Sequence, residues 1–229
     1  MAYKLENVVP WGRNLNEYLK MFDLTSEELY LNILDCAGGP ASFNVEMSQQ
    51  GYNVVSSDPI YQFSVAEITQ RIQETAQKIV EGTQATRDAF VWQDIQSPEH
   101  LKEVRMAAMQ QFLADLPLGI EQGRYIISEL PALPFDNNQF DLALCSHFLF
   151  LYSDLLSEEF HLASIQELCR VATEVRIFPL LKLFSTDSSE LLSLVMKSLS
   201  AQGYNLEIKQ VPYQFQKGGN QMLRVRQKV

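Results

Sequence analysis

The sequence predicts a doubly wound α/β domain: a mostly parallel seven-stranded sheet covered on both faces, closed by a C-terminal antiparallel hairpin and carrying a helical insertion. Three observations predict it. Short apolar runs bounded by Gly and Pro alternate with segments of helical spacing along the chain. Successive runs are separated by enough residues for helical crossovers, which parallel neighbours require. The last two runs, "YNLEIKQV" and "QMLRVRQK", are joined by a loop short enough to make them antiparallel.

Residues Leu31 to Cys36 form the first apolar run and read as a buried strand. Pro40 suits the first turn of a helix and Gly51 its C-terminal cap, so a helix is expected from Pro40 to Gln50. "YNVVSSDP" is the second strand, stopped by Pro59, and Ile68, Ile72, Ala76 and Ile79 then repeat at helical spacing. Residues 81–123 read as a helical insertion whose "SPEHLKEVRMAAMQQFL" has a Ser cap, a first-turn Pro and an apolar face of Leu101, Val104, Ala108 and Phe112. "RYIISEL" is the third strand and "FDLALCS" the fourth. Ser157 caps a helix carrying Phe160, Ile165, Leu168 and Val171, and "EVRIFPLL" is the fifth strand. Asp187 and Glu190 have capping-box spacing at the start of a helix that ends by Gly203. The whole of 1–229 reads as one domain, with 1–30 as an N-terminal helical cover.

Composition narrows the function classes. The 229 residues are 46% hydrophobic and 10% aromatic, enough for a sizeable core, and the net charge of −10 repels a phosphate backbone, so nucleic acid is not expected as a partner. The basic "LRVRQKV" end reads as a solvated strand face. Three cysteines, Cys36, Cys145 and Cys169, are odd in number and lie in apolar or helical contexts, which predicts free thiols and a cytoplasmic protein. No run of about 18 apolar residues is present for a membrane span.

In open α/β sheets, ligands sit at the carboxyl ends of the strands near the switch point. After the first strand comes "DCAGGP", where small residues let a ligand approach the backbone and the next helix offers free N–H groups. Asp58 follows the second strand; an ionised carboxylate there has the two acceptor oxygens that a ribose diol needs. Glu129 follows the third strand and can accept from an exocyclic amine. Taken singly, each has a plainer reading: glycines as turn formers, Asp58 as a cap before Pro59, Glu129 as a solvated loop acid. Three acids at neighbouring strand ends around one bare loop favour a nucleoside site.

These residues carry a resemblance to the class I S-adenosylmethionine-dependent methyltransferases, from Leu31 to the final hairpin. "LDCAGGPASF" resembles the family's first motif, and "VVSSDP" its second-strand acid. "ELPALPFDNNQFDLALCSHFL" is the most specific match, resembling the small-molecule subgroup's acid, Leu-Pro-Phe turn and Phe-Asp opening of the fourth strand. The resemblance implies a Rossmann-like methyltransferase fold, with S-adenosylmethionine as cofactor, S-adenosylhomocysteine as product and a small, partly apolar methyl acceptor. It implies cofactor contacts from Asp35, Ala37, Gly38 and Gly39 near the methionine part, from Asp58 on the ribose, from Glu129 and Leu130 near adenine, and from Ser146. Three departures mark a divergent branch: Ala37 and Ala41 replace two motif glycines, "CRVATEVRIFPLL" lacks the subgroup's Pro-Gly-Gly turn, and the insertion is large.

Methyl transfer is an in-line displacement that needs alignment and exclusion of water, with no metal and no covalent residue. His147, just after the fourth strand, is the candidate general base; a structural role is equally compatible with a histidine that has no partner visible in sequence. His100 and His161 read as surface or core residues. In "VPWGRNLNEYLKMF", Arg13 is a candidate partner of the cofactor carboxylate, with Trp11 or Tyr18 closing the pocket, while Leu15, Tyr18, Leu19 and Phe22 equally form a packing face. Trp92, Met106, Met109 and Phe112, with Phe148, Phe150 and Tyr152, are expected to line an apolar acceptor site. Two alternatives compete: a non-catalytic protein that binds the same sulfur nucleosides, and a nicotinamide-dependent oxidoreductase, whose G-x-G-x-x-G spacing "AGGPAS" does not meet.

Overall fold

The computed structural model describes residues 7–183 and 190–227. Its seven strands are β1 (Ile33–Cys36), β2 (Val54–Ser57), β3 (Tyr125–Ile126), β4 (Phe140–Ser146), β5 (Ala172–Phe178), β6 (Tyr204–Gln210) and β7 (Gln221–Gln227). They form one sheet in the order β3-β2-β1-β4-β5-β7-β6, in which β7 alone runs antiparallel to its neighbours. The expected doubly wound sheet and its closing hairpin are present. The chain moves outward from β1 to β3 and then returns to the other side of β1 at β4, which puts the switch point, and the crevice it creates, at the carboxyl ends of β1 and β4.

Both faces of the central strands are covered, so apolar residues follow one another along them, with Asp35, Ser56 and Ser57 as buried polar exceptions. Leu34, Ala143 and Cys145 point to one side, toward α5 (Glu158–Val171) and α6 (Glu190–Ala201). Ile33, Leu142 and Leu144 point to the other, toward α1 (Leu15–Met21) and α2 (Phe43–Gln49). A third cluster joins Trp11 and Tyr125 to α3 (Val65–Ala85) and α4 (Pro98–Glu121). Ser97 and Ser157 cap α4 and α5 as their positions suggest, each side chain accepting a backbone N–H three residues on. The cysteines are free and buried. No helix among the described residues is long and apolar enough to cross a membrane.

Several boundaries differ from the sequence expectation. The helix after β1 begins at Phe43 rather than Pro40, because the chain first makes a turn on which the N-terminal segment sits: the Ser42 N–H donates to the Arg13 carbonyl at 3.0 Å, and any side chain at Gly12 would collide with the Pro40 carbonyl. β3 is only two residues long, since beyond Ile126 the chain leaves the sheet to form the cavity edge. The insertion is more regular than expected, with the 24-residue α4 filling most of it. Arg224 and Arg226 are not merely solvated: both bind Glu174, holding its carboxyl at about 2, well below the ordinary range. The expected Asp187 cap lies outside the described residues.

Glu17 on α1 is buried and meets three partners. It forms an ion pair with the fully buried Arg105 of α4, accepts from the Tyr213 hydroxyl at 2.9 Å, and closes a capping box with Asn14. Removing one member of a buried pair leaves the other charge uncompensated, so Glu17→Ala is expected to cost about 3 kcal/mol of unfolding free energy in urea titration, with α4 opening first.

The turn after β1 is held in an uncommon backbone conformation, with φ of +55° at Ala37 and +54° at Gly39. Glycine tolerates this region, whereas an L side chain there costs about 1–2 kcal/mol. Ala37→Gly is therefore expected to raise unfolding stability by about 0.5–1 kcal/mol after the extra chain entropy of glycine is allowed for, as read by the same titration.

Candidate active site

A cavity of about 670 Å³ opens at the carboxyl ends of β1, β2 and β4, within the range of small-molecule and cofactor sites. The β1 turn forms its floor through Ala37, Gly38 and Gly39, and the segment Val8–Arg13 forms its cover. That cover stays in place because α1 behind it is anchored: the Tyr18 ring stacks on Phe43 at 4.2 Å, and its hydroxyl donates to Asp35 Oδ1 at 2.9 Å.

Two acids face this space. Asp58 ends β2 and is fixed by two backbone donors, the Gly39 N–H at 2.9 Å and the Ile60 N–H at 2.8 Å. Desolvation, opposed by those two bonds and reinforced by Glu129, pushes its carboxyl up to about 6. Each oxygen accepts one of these bonds and has the capacity for another. Glu129, past the end of β3, is exposed at the opposite edge, where its backbone carbonyl accepts from the Ala132 N–H. Leu130 lies beside it on the wall.

Asp35 departs from its expected place. It does not line the cavity; it lies beneath the turn, buried, accepting from Tyr18 and from Ser56 Oγ at 3.0 Å, with burial raising its carboxyl to about 7. A side chain at Gly38 would strike it, so Asp35 supports the turn from below and Gly38 is what allows that closeness. This arrangement follows from β1 being buried on both faces: a strand residue points to one face of the sheet, not along it toward the crevice.

Arg13 sits on the cavity wall, where Glu17 and Arg105 both act on its charge. One Nη donates to the Trp11 carbonyl at 2.6 Å, the Nε has no hydrogen-bond partner, and Arg13 makes no ion pair among the described residues. Desolvation first, then the neighbouring Arg105, brings its pKa down to about 10, so it remains charged at neutral pH. Trp11 covers the same region.

At the far wall stand Ser146 and His147. His147 has φ +52°, its N–H is held by the Phe178 carbonyl at 2.6 Å, and its Nδ1 lies 2.9 Å from Ser146 Oγ. Burial, with Arg13 and Arg105 nearby, holds its pKa well below the usual 6.5, so the ring is neutral at neutral pH. His161 is buried in α5 and His100 accepts a backbone N–H at the start of α4; neither lines the cavity. No group of acids, histidines and cysteines among the described residues has the geometry of a metal site.

The expected apolar acceptor wall is corrected. Met109, Phe112 and Phe150 are wholly buried in the core: α4 turns Met109 and Phe112 onto α3 and β3, with Met106 packed beside them, Phe150 packs in the cluster under α5, and Trp92 packs against Phe90 and Phe215. Phe148 and Tyr152 do line cavities. Sequence reasoning missed Phe63, over whose ring Arg71 lies at 3.7 Å, and the Ser57–Ser128 hydroxyl pair at 2.6 Å, all on the wall around Asp58. Phe63 follows the acid within "DPIYQF", but nothing in the spacing distinguishes it from a core residue.

The "ELPALPF" turn owes its form to α5. Glu167 accepts the Leu133 N–H at 2.7 Å, and Arg170 donates to the Leu133 and Phe135 carbonyls at 3.1 and 2.8 Å. So the motif aims Glu129 and Leu130 at the cavity by fixing the backbone that follows them.

No family model matches the chain. The uncharacterized protein MJ0045 of Methanocaldococcus jannaschii is 34% identical over 223 residues, which is 97% of each chain. Among solved structures, the pyocyanin biosynthetic protein PhzM aligns at 12% identity and TM-score 0.50, covering 93% of this chain and 54% of its own. The magnesium protoporphyrin IX methyltransferase ChlM from Synechocystis PCC 6803, solved with bound SAM, aligns at 15% identity and TM-score 0.40, covering 86% of this chain and 70% of its own. The likeness to solved structures is one of fold. The chain thus belongs to one family with MJ0045, and its fold is that of the class I S-adenosylmethionine-dependent methyltransferases.

Proposed function

We propose that this protein is an S-adenosylmethionine-dependent methyltransferase acting on a small, partly apolar molecule. The observation that carries the reading is the presence in one cavity of a fixed acid at the end of β2, Asp58, and of the Arg13 guanidinium, whose Nε has no hydrogen-bond partner among the described residues. An amino-acid nucleoside needs both: acceptors for its ribose hydroxyls at one end and a cation for its carboxylate at the other. The orphaned Arg13 Nε fits such a carboxylate. Glu129 and Leu130 stand where an adenine edge would lie, and the bare turn of Ala37, Gly38 and Gly39 admits the middle of the molecule.

The bound cofactor supplies an electrophilic methyl group on a sulfonium. The chain's share of the work is alignment and dryness: Asp58 and Arg13 fix the two ends, Trp11 covers them, and His147 with Ser146 borders the space where an acceptor approaches. Because His147 is held neutral, it accepts a hydrogen bond or a weakly held proton but is a poor base toward an alcohol.

Asp58→Ala is expected to weaken binding of S-adenosylmethionine at least about tenfold in calorimetric titration, the loss that follows removal of a charged acceptor for two hydroxyls. Unchanged affinity would take Asp58 out of the site. The ionised form of Asp58 is the one that holds hydroxyls, and its carboxyl titrates at about 6. Cofactor affinity should therefore fall as pH drops from 7 to 5, by about tenfold at the limit, and the Asp58→Ala variant should lose that pH dependence. Binding without transfer to any acceptor in a broad panel would leave a sensor of the sulfur nucleoside rather than an enzyme.

A further inference from the structure

Among the described residues β6 ends the sheet, with β7 on one side and no strand on the other. At seven residues it is a full-length edge, whose outward N–H and C=O groups are a template for a further strand. The opposite edge, β3, is only two residues long. Side chains alternate between the two faces along β6. Tyr204 and Leu206 pack toward α5 and α6, and Ile208 follows them on that face, 41% exposed. Glu207 and Lys209 lie on the other face.

On that second face a row of alternating charge crosses the sheet and stops at this edge. Glu174 of β5 binds Arg224 of β7 at 2.7 Å, and Arg224 reaches Glu207 of β6 at 3.3 Å. Lys209, two residues further along β6, is held within its own chain by Asp23 at 2.8 Å. Both groups have capacity for another partner. The Glu207 side chain is 58% exposed and accepts one long bond, and the Lys209 ammonium, its side chain 39% exposed, carries three donors against one acid.

We propose that β6 pairs antiparallel with β6 of a second copy of this chain, about a two-fold axis at Ile208, so that two seven-stranded sheets become one. The assignment stands apart from the methyltransferase reading, since no residue of β6 lines the main cavity. Charge selects the register. A two-fold at Ile208 sets Glu207 opposite the partner's Lys209 and Lys209 opposite the partner's Glu207, with Ile208 against the partner's Ile208 between them. Centred on Glu207, the same pairing opposes two carboxylates; centred on Lys209, it opposes two ammoniums. Every other centre within the strand leaves both groups without an opposite charge. Unlike charges directly opposed stabilise an antiparallel pair, and like charges weaken it. In the favoured register the row runs from Glu174 through Arg224 and Glu207 to the partner's Lys209 and the partner's Asp23, its sign alternating throughout. The dimer leaves only the short β3 strands as edges, so assembly closes at two copies.

The test is sedimentation of the whole protein over a concentration series, with disulfide trapping to fix the register. One strand pair is a small interface, so a dimer with Kd of about 10–100 µM is expected, weakening as salt screens the charge pairs. Lys209→Glu opposes two carboxylates at each end of the pair and should raise Kd by at least about tenfold. Opposed Cα atoms in an antiparallel pair are about 4.5–5.5 Å apart, within the span of a disulfide. The three native cysteines are buried. Ile208→Cys, at an exposed position that threatens folding little, should therefore give a covalent dimer on mild oxidation. Asn205→Cys, which lies opposite the partner's Val211, should not. A monomer at every concentration up to about 1 mM overturns the proposal. So does a dimer that Ile208→Cys fails to trap, that Asn205→Cys traps as readily, or that Lys209→Glu leaves intact, because the copies then meet elsewhere or in another register.

Discussion

Three segments distant in the chain meet on the buried carboxylate of Glu17, and the rest of the site depends on that meeting. Glu17 belongs to the N-terminal cover, Arg105 to the insertion and Tyr213 to the loop between the last two strands. None of them is part of the sheet. Two opposite charges in one dry place hold only when both are present and bonded, so the network makes the cover, the insertion and the final loop settle together. Once α1 is fixed, Tyr18 reaches Asp35 and Gly12 lies on the Pro40 carbonyl, and the crevice of an ordinary open sheet becomes an enclosed cavity.

The enclosure raises the electrostatic stakes. Burial pushes the carboxyls of Asp35 and Asp58 upward, with Asp58 adding to the shift of Asp35 and Glu129 to that of Asp58. Arg13 is driven the other way, toward neutrality. These shifts describe charges that burial penalises although they are hydrogen-bonded, and such groups cluster at functional sites. Positive φ at Ala37 and His147, at the two strand ends that flank the switch point, adds local strain at the same place. Stability here is given up to keep acceptors, donors and backbone pointing into one space. The stacked and interlocked rings of Tyr18, Phe43 and Phe22 below, and of Tyr61, Phe112 and Tyr125 to the side, supply the compensating packing.

Much of the fold was legible because parallel strands buried on both faces leave a plain mark: "ILDC", "VVSS" and "FDLALCS" are short runs of mostly buried residues between turn residues, with adjacent apolar positions in each. Local periodicity carries that information. It carries less at places where a distant segment decides the outcome. Pro40 has the chemistry of a first helical turn, yet the helix waits until Phe43 because Gly12 and Arg13 occupy the preceding turn. The same limit explains the site. Asp58 and the glycine turn were legible because each lies next to its own strand end. The aromatic acceptor wall was misread because helical spacing identifies an apolar face without saying what that face meets, and Met109 and Phe112 meet α3 and β3. The smaller cavity behind Arg13 and His147 takes its lining from positions between 9 and 219, and no window of sequence contains it.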